Sequence, residues 1–375
     1  MKIEFLSKTK INDDFLAQVI NQLKQSREGK WSSEEGEILD KLIKDLEFQK
    51  INRKPNLDNS THFILQENEY NYLVQNEKSS WANYLIFRYK FKIYPAIKRL
   101  TSFPTHLLVE PVSYCNLKCT MCFQSDQTFT KPPHMGYMDT ELFKKIIDEA
   151  VEENCKALTM ASRGEPLLHP QFSELLKYTK GKFFDLKLNT NAMLLDEEKS
   201  HQILENEMTE LVFSVDSAEK DEYERIRRHG KFEKVLSNIK QFHEIRKQEY
   251  PETKCRTRVS GVKYSPNFDT KFFVEFWGKL VDNVTQVPML KRWDSYQNSP
   301  LNKLFPCSLL WDRIYIWFDG TVNTCDYDYK SFLNIGNIKK TSIKDIWLGE
   351  KYTKFRKDHL EGKRPSHIPC DRCEN

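Results

Sequence analysis

Cys115-Asn116-Leu117-Lys118-Cys119-Thr120-Met121-Cys122 is the stretch on which the reading of this chain turns. Three cysteines at C-x3-C-x2-C spacing follow an apolar run, Leu107-Leu108-Val109 and then Pro111-Val112, that reads as a strand. Three thiolates on one short loop can hold three corners of a [4Fe-4S] cubane. The cluster wants four ligands, so the fourth iron is left open to a chelating molecule.

The wider composition suits such a centre. The chain has 375 residues, enough for two or three domains. With 39% hydrophobic residues and a mean hydropathy of -0.67 it reads as soluble. No stretch approaches the ~20 apolar residues of a membrane helix. Met1-Lys2-Ile3-Glu4-Phe5 does not open a secretory signal, so a cytoplasmic location is expected. The 58 basic and 54 acidic side chains leave a net charge of +4, a weak hint of anionic substrates and no argument for nucleic acid. Nine cysteines in a reducing compartment point to metal ligands or catalytic groups before disulfides. Seven fall into cluster-like spacings. Cys155 and Cys255 stand alone beside predicted strands and read as buried small hydrophobes.

Downstream of Leu107, strand-like runs at 107–112, 156–161, 183–188, 211–215, 256–262 and 283–287 alternate with helix-period segments. One of these, 139–153, repeats Leu142, Phe143, Ile146, Ile147, Ala150 and Val151 at helical spacing. Alternation of this kind predicts an α/β fold with parallel strands, a partial (β/α)6 TIM-like barrel. Chemistry in such barrels sits at the C-terminal ends of the strands, where the cysteine loop falls.

The cysteine loop resembles the signature of the radical S-adenosylmethionine (SAM) enzymes, in which SAM chelates the open iron. Ala161-Ser162-Arg163-Gly164-Glu165-Pro166-Leu167, after the second strand, resembles the family's Gly-Gly-Glu-Pro-Leu segment, with Arg163 in place of the first glycine. Leu188-Asn189-Thr190-Asn191-Ala192 is similar to its Thr-Asn-Gly element, with Ala192 in place of glycine. Phe213-Ser214-Val215-Asp216-Ser217 resembles Ser-Leu-Asp-Gly. The resemblance implies SAM contacts from Gly164, Glu165, Asn191, Ser214 and Arg227, with Glu165 accepting from the SAM amino group and Arg227 reaching its carboxylate. Met121 replaces the commoner aromatic before the third cysteine; that position acts through its backbone toward adenine. Glycine allows positive φ and close backbone approach, so Arg163 and Ala192 mark places where the backbone must differ. His169 reads as structural.

The C-terminal region offers Cys307, a hairpin signalled by Asp319-Gly320, Cys325, a helix from Ile343 to about His359, and Cys370-Asp371-Arg372-Cys373. Paired cysteines around a hairpin are also zinc-ribbon grammar. Behind the barrel they resemble the SPASM/twitch extension that carries auxiliary iron–sulfur clusters, and in order and spacing the single-cluster twitch domain of the 2-deoxy-scyllo-inosamine dehydrogenases. The pattern ends after C-x2-C. The resemblance therefore implies one auxiliary [4Fe-4S] cluster on Cys307, Cys325, Cys370 and Cys373, besides the SAM-binding cluster on Cys115, Cys119 and Cys122.

Three domains are expected: a mainly helical extension over 1–104, the barrel over 105–290 and a small hairpin-and-helix cluster domain over 291–375. The extension contains an aromatic, basic segment from Ser79 to Leu100, either a surface for an acidic or nucleotide-bearing partner or a helix whose aromatics pack on the barrel while its lysines face water. The resemblance implies a radical enzyme that abstracts hydrogen from a small molecule. The favoured target is a carbohydrate-like hydroxyl carbon on an aminocyclitol or activated, nucleotide-linked sugar, with the auxiliary cluster taking the second electron and flavodoxin or ferredoxin supplying the first. The sequence identifies no general base. A peptide maturase is the alternative, though such enzymes often carry a strand-rich leader-binding domain where this chain reads helical. A non-catalytic zinc-binding interaction protein is the remaining reading.

Overall fold

Leu107, Val109, Leu158, Met160, Leu186, Leu188, Leu211 and Phe213 lie in one apolar core because six short strands set them side by side. The computed structural model describes residues 4–5, 11–52, 61–265, 268–289, 292 and 295–374. The strands are β1 (His106–Val109), β2 (Ala157–Met160), β3 (Asp185–Thr190), β4 (Glu210–Ser214), β5 (Arg256–Lys263) and β6 (Asn283–Pro288). Each pairs in parallel with the next, Leu107 opposite Leu158, Leu158 opposite Leu186 and Leu188 opposite Leu211. The first four crossovers carry helices: Thr140–Glu152, Phe172–Thr179, Glu197–Glu205, and Lys220–Ile226 with Phe232–Glu249. Thr270–Trp277 lies between β5 and β6. This is the partial α/β barrel that the alternation implied.

Strand periodicity separates two faces. In β3, Leu186 and Leu188 are buried in the helix-facing core, while Lys187 and Asn189 are half-buried on the opposite side. That opposite face is polar: Glu210 binds Lys187 at 2.8 Å and Arg258 at 3.0 Å. Burial would raise the Glu210 carboxyl, but the two cations hold it down to about 2.

The sheet does not stop at β1. The C-terminal hairpin, β7 (Arg313–Ile316) and β8 (Thr321–Asn323), joins it, β7 running parallel to β1 with Tyr315 opposite Leu108. A short β9 (Gly336–Asn337) follows, and at the far edge Glu4–Phe5 pairs antiparallel with β6. Residues 1–6 and 102–375 thus form one compact unit. The helix expected from Ile343 to His359 is two, Ile343–Leu348 and Glu350–Leu360. Gly349 between them is extended, with ψ 158, and a Cβ there would stand 2.6 Å from the Asp345 carbonyl oxygen.

Residues 7–101 form a second unit. Its described elements are helices: Asp13–Arg27, Ser33–Ile51 with a Ser32/Glu35 capping box, Glu67–Gln75 and Trp81–Ala96, the last preceded by a short 3-10 turn at Lys78–Ser80. The turn formers Pro55, Asn56, Asp58, Asn59 and Ser60, which read in sequence as a loop, lie outside the described residues. In the aromatic helix Tyr84 stacks on Tyr72, Trp81 meets Phe15 and Tyr89 meets Phe63. Its cations, expected to face water, are paired: Arg88 and Lys92 with buried Glu69, and Lys90 and Arg99 with Glu34. Among the described residues no helix is long and apolar enough to cross a membrane.

Candidate active site

The C-terminal ends of β1 to β4 deliver their loops to one place. After β1 the chain crosses to Cys115–Cys122. The segment Lys118–Cys119 pairs antiparallel with Arg227–Arg228, which follows the Lys220–Ile226 helix. After β2, Gly164 lets two strand-end loops touch: a Cβ there would sit 2.2 Å from the Val112 carbonyl oxygen and 2.5 Å from that of Tyr114. The Glu165 N–H then donates to the Tyr114 carbonyl at 2.9 Å. Only glycine fits this approach.

Glu165 is 2% exposed. Oε1 accepts from the Thr190 hydroxyl at 2.7 Å and the Leu167 N–H at 3.2 Å, and Oε2 from the Asn191 N–H at 2.7 Å. An ionised carboxylate has about four acceptor sites, so one remains for a ligand's donor. Burial raises this carboxyl to about 6, against the pull of those donors. Asn191 links it to the cysteine loop, its Nδ2 donating to Asn116 Oδ1 at 2.8 Å and lying 3.9 Å from Cys115 Sγ. Arg227 is buried, with Nε 2.7 Å from Asp216 Oδ2 and Nη1 4.0 Å from Cys119 Sγ. Burial works against its charge, but Asp216 and Cys119 hold the guanidinium firmly protonated. Ser214 is half-buried at the same sheet end, in register with Ser260. Gly164, Glu165, Asn191 and Arg227 are thus joined to the cysteine loop by contact, and Ser214 only by its position in the sheet.

The three thiols respond to one another. Burial is the main force raising each. Cys122 is pushed up to about 12, and Cys115 rises further with Glu165 and the other two thiols beside it. Cys115 and Cys122 are half-buried and Cys119 buried. The second set behaves alike: burial, then Cys370, Asp326 and Cys373, raise Cys325, and burial, then Cys307 and Cys373, raise Cys370. Four thiols therefore converge from the two ends of the C-terminal segment. Four thiolates are the donor set of a cubane, one to each iron, and equally that of a tetrahedral zinc site.

The remaining cysteines and His169 are structural. Cys155 and Cys255 are buried in the core. His169 is buried between the Met138 carbonyl, 2.9 Å from Nε2, and the Gln171 N–H, 3.1 Å from Nδ1.

Several residues that hold the site were not singled out by motif. Gln124 Nε2 donates to the Ser113 carbonyl at 2.8 Å and the Arg163 carbonyl at 2.6 Å, tying the cysteine loop to the Gly164 loop. Arg163 is 3% exposed and forks onto fully buried Glu110, Nε to Oε2 at 2.6 Å and Nη2 to Oε1 at 2.5 Å. Its Nη1 donates to the Tyr329 carbonyl at 2.8 Å, and the guanidinium lies 4.1 Å from the Trp317 ring centre. The only signal for this pair is a lone carboxylate, Glu110, closing an apolar strand that is followed one βα unit later by an arginine where relatives have glycine.

The chain matches the model of the radical SAM superfamily over residues 109–250 and that of the SPASM iron–sulfur cluster-binding domain over 307–374. It is 25% identical over 321 residues to the tungsten-containing aldehyde ferredoxin oxidoreductase cofactor-modifying protein of Pyrococcus furiosus, covering 72% of this chain and 88% of that one. In fold it is similar to BtrN, solved in complex with AdoMet and 2-DOIA, with TM-score 0.50 and 20% identity over 72% of this chain and 93% of that one. It also resembles Streptococcus suis SuiB bound to precursor peptide SuiA, with TM-score 0.54 and 14% identity over 88% and 84% of the two chains.

Proposed function

This chain is a radical SAM enzyme with a C-terminal SPASM-type iron–sulfur domain, working with SAM and two [4Fe-4S] clusters, and from that premise we propose that it oxidises a hydroxyl-bearing carbon of a carbohydrate-like small molecule. When bound, these groups supply an electron and a 5′-deoxyadenosyl radical able to abstract an unactivated hydrogen. The protein's own contribution is placement. In this reading Cys115, Cys119 and Cys122 hold the SAM-binding cluster, with one iron left for SAM. Glu165 gives its spare acceptor site to the SAM amino group, and the close approach at Gly164 brings the loop backbones within reach. Asn191 and Ser214 line the same strand ends. Arg227 stands beside Cys119, its charge already engaged by Asp216, so its part is to neutralise the cluster thiolates, with the SAM carboxylate as a further partner.

The observation that carries the oxidative reading is the convergence of four thiols, Cys307, Cys325, Cys370 and Cys373. A cluster bound by four cysteines has no open iron for substrate and is suited to removing an electron from a substrate radical. The wholly helical described portion of residues 11–101 lends no strand-rich leader-binding module to a peptide-modifying reading. The substrate is a small molecule, and an external donor such as flavodoxin or ferredoxin supplies the first electron. The divisions 1–104, 105–290 and 291–375 remain our working functional boundaries.

The test is anaerobic reconstitution with iron and sulfide counted, in the wild type and in a variant with Cys115, Cys119 and Cys122 changed to Ala. About eight irons falling to about four, with SAM cleavage lost, is the expected result. Deuterated aminocyclitols and nucleotide-linked sugars are then screened for deuterium transfer into 5′-deoxyadenosine. Transfer only from a peptide, or from no alcohol while SAM is still cleaved, would overturn the alcohol reading.

A further inference from the structure

One cation lies between the two cysteine sets and has no part in the contacts described so far. Arg292 lies a few residues before Ser295 and Tyr296 in the chain. The Tyr296 ring packs on the Phe123, Phe129 and Tyr329 cluster, against which Cys122 also lies, with its centre 5.1 Å from that of Tyr329, and its hydroxyl donates to Asp328 Oδ1 at 2.7 Å. Tyr329 in turn stacks on Phe123 at 5.2 Å. Arg292 Nη1 donates to Asp326 Oδ2 at 2.7 Å, and Asp326 is the residue next to Cys325. Among the described residues this is its one hydrogen bond. Its side chain is partly open, with 42% of its surface exposed. Its charge reaches the thiols of both Cys122 and Cys325.

We propose that Arg292 is a positioning residue shared by the two cluster sites, a fixed cation between them that stabilises the extra negative charge each cluster takes on reduction. The proposal rests on the functional reading above. A guanidinium stays charged at any working pH, so its contribution does not titrate away. Nearby charge is one of the levers that set iron–sulfur potentials. A cation lying between the sites raises both, which eases the first electron onto the SAM-binding cluster and the later one onto the auxiliary cluster. Asp326, bonded to Arg292 and adjacent in sequence to Cys325, offsets part of this at the auxiliary site.

The test is an EPR-monitored redox titration of the full chain, reconstituted anaerobically, as wild type, Arg292→Leu, Arg292→Lys and Asp326→Asn. Arg292→Leu is expected to keep its iron and sulfide while both midpoint potentials move lower. Arg292→Lys returns both toward the wild-type values, and Asp326→Asn raises that of the auxiliary cluster. Unmoved potentials in Arg292→Leu, or movement at one cluster alone, overturn the proposal. Should the leucine variant lose iron, Asp326→Asn decides: an auxiliary potential that is unchanged or lower overturns it. A wild type that takes up no iron and sulfide overturns the functional reading, and this proposal with it.

Discussion

Strain at single residues shows where this chain departs from its relatives. Ala192 replaces the usual glycine and still adopts the left-handed conformation that glycine favours, with φ 61. At the other replaced glycine the strain falls one residue earlier, on Ser162, with φ 135. The Ser162 hydroxyl is also buried without a hydrogen-bond partner. Removing both faults, Ser162→Gly is expected to stabilise the chain by about 1–2 kcal/mol, read as a higher urea midpoint at unchanged slope. Glu165 gives a second prediction. Its folded value of about 6 lies above the ordinary 4.5, so the fold prefers the neutral acid. Keeping the charge costs the ligand-free chain about 2 kcal/mol, a cost that develops as pH rises from 4.5 through 6. An ammonium group beside the carboxylate reverses that preference. SAM affinity measured by calorimetry on reconstituted protein should therefore be flat above pH ~6.5 and weaken as Glu165 protonates below about 6. Glu165→Gln should bind roughly 10- to 100-fold more weakly, as loss of a hydrogen bond to a charged group implies, and without that pH dependence. Equal affinity of the wild type at pH 5.5 and 7.5 would remove Glu165 from the SAM site.

Elements were legible wherever a periodic apolar pattern met a turn. All six barrel strands lie within two or three residues of their expected positions, because alternation and helical spacing are local properties. The helix after Ile343 was not, since nothing in its pattern says that Gly349 turns extended and splits it. The β2-to-β3 loop shows the same limit. A motif comparison treats Arg163 as a lost glycine, yet it is the partner of buried Glu110 from the preceding strand. Restoring the relatives' residue should do harm: Arg163→Gly strands a buried carboxylate and is expected to cost about 3–5 kcal/mol. Adding Glu110→Gln should recover much of that loss in a double-mutant cycle on urea midpoints. If the two changes are additive, the pair is not coupled.

At the scale of the molecule, the hairpin joins the barrel sheet. β7 lies parallel to β1, with Tyr315 opposite Leu108, and the Thr105 N–H donates to the Asp312 carbonyl at 3.0 Å. Asp126, from the loop after the first cysteines, accepts from the Tyr329 hydroxyl at 2.7 Å and pairs with Lys330 at 2.6 Å. Two cysteine sets mounted on one sheet and joined by these contacts should open together. Native-state hydrogen exchange under rising denaturant should show the amides of Arg313–Ile316 losing protection at the same concentration as those of His106–Val109 and Ala157–Met160. Earlier loss in β7 would make the C-terminal segment an independently folding module.

The chain by itself determined the family, the strand–helix alternation, both cysteine sets and the motif residues at successive strand ends. Each of these is written in local spacing, and local spacing survives without coordinates. Tertiary structure alone decided that Arg163 pairs with Glu110, that Gln124 binds the two site loops together, that β7 extends β1, and that Arg292 and Asp326 stand between the cysteine sets. These partners lie from 11 to more than 200 residues apart in the chain. Buried charges and sheet edges take whatever complement the fold brings near, and that choice belongs to three-dimensional packing.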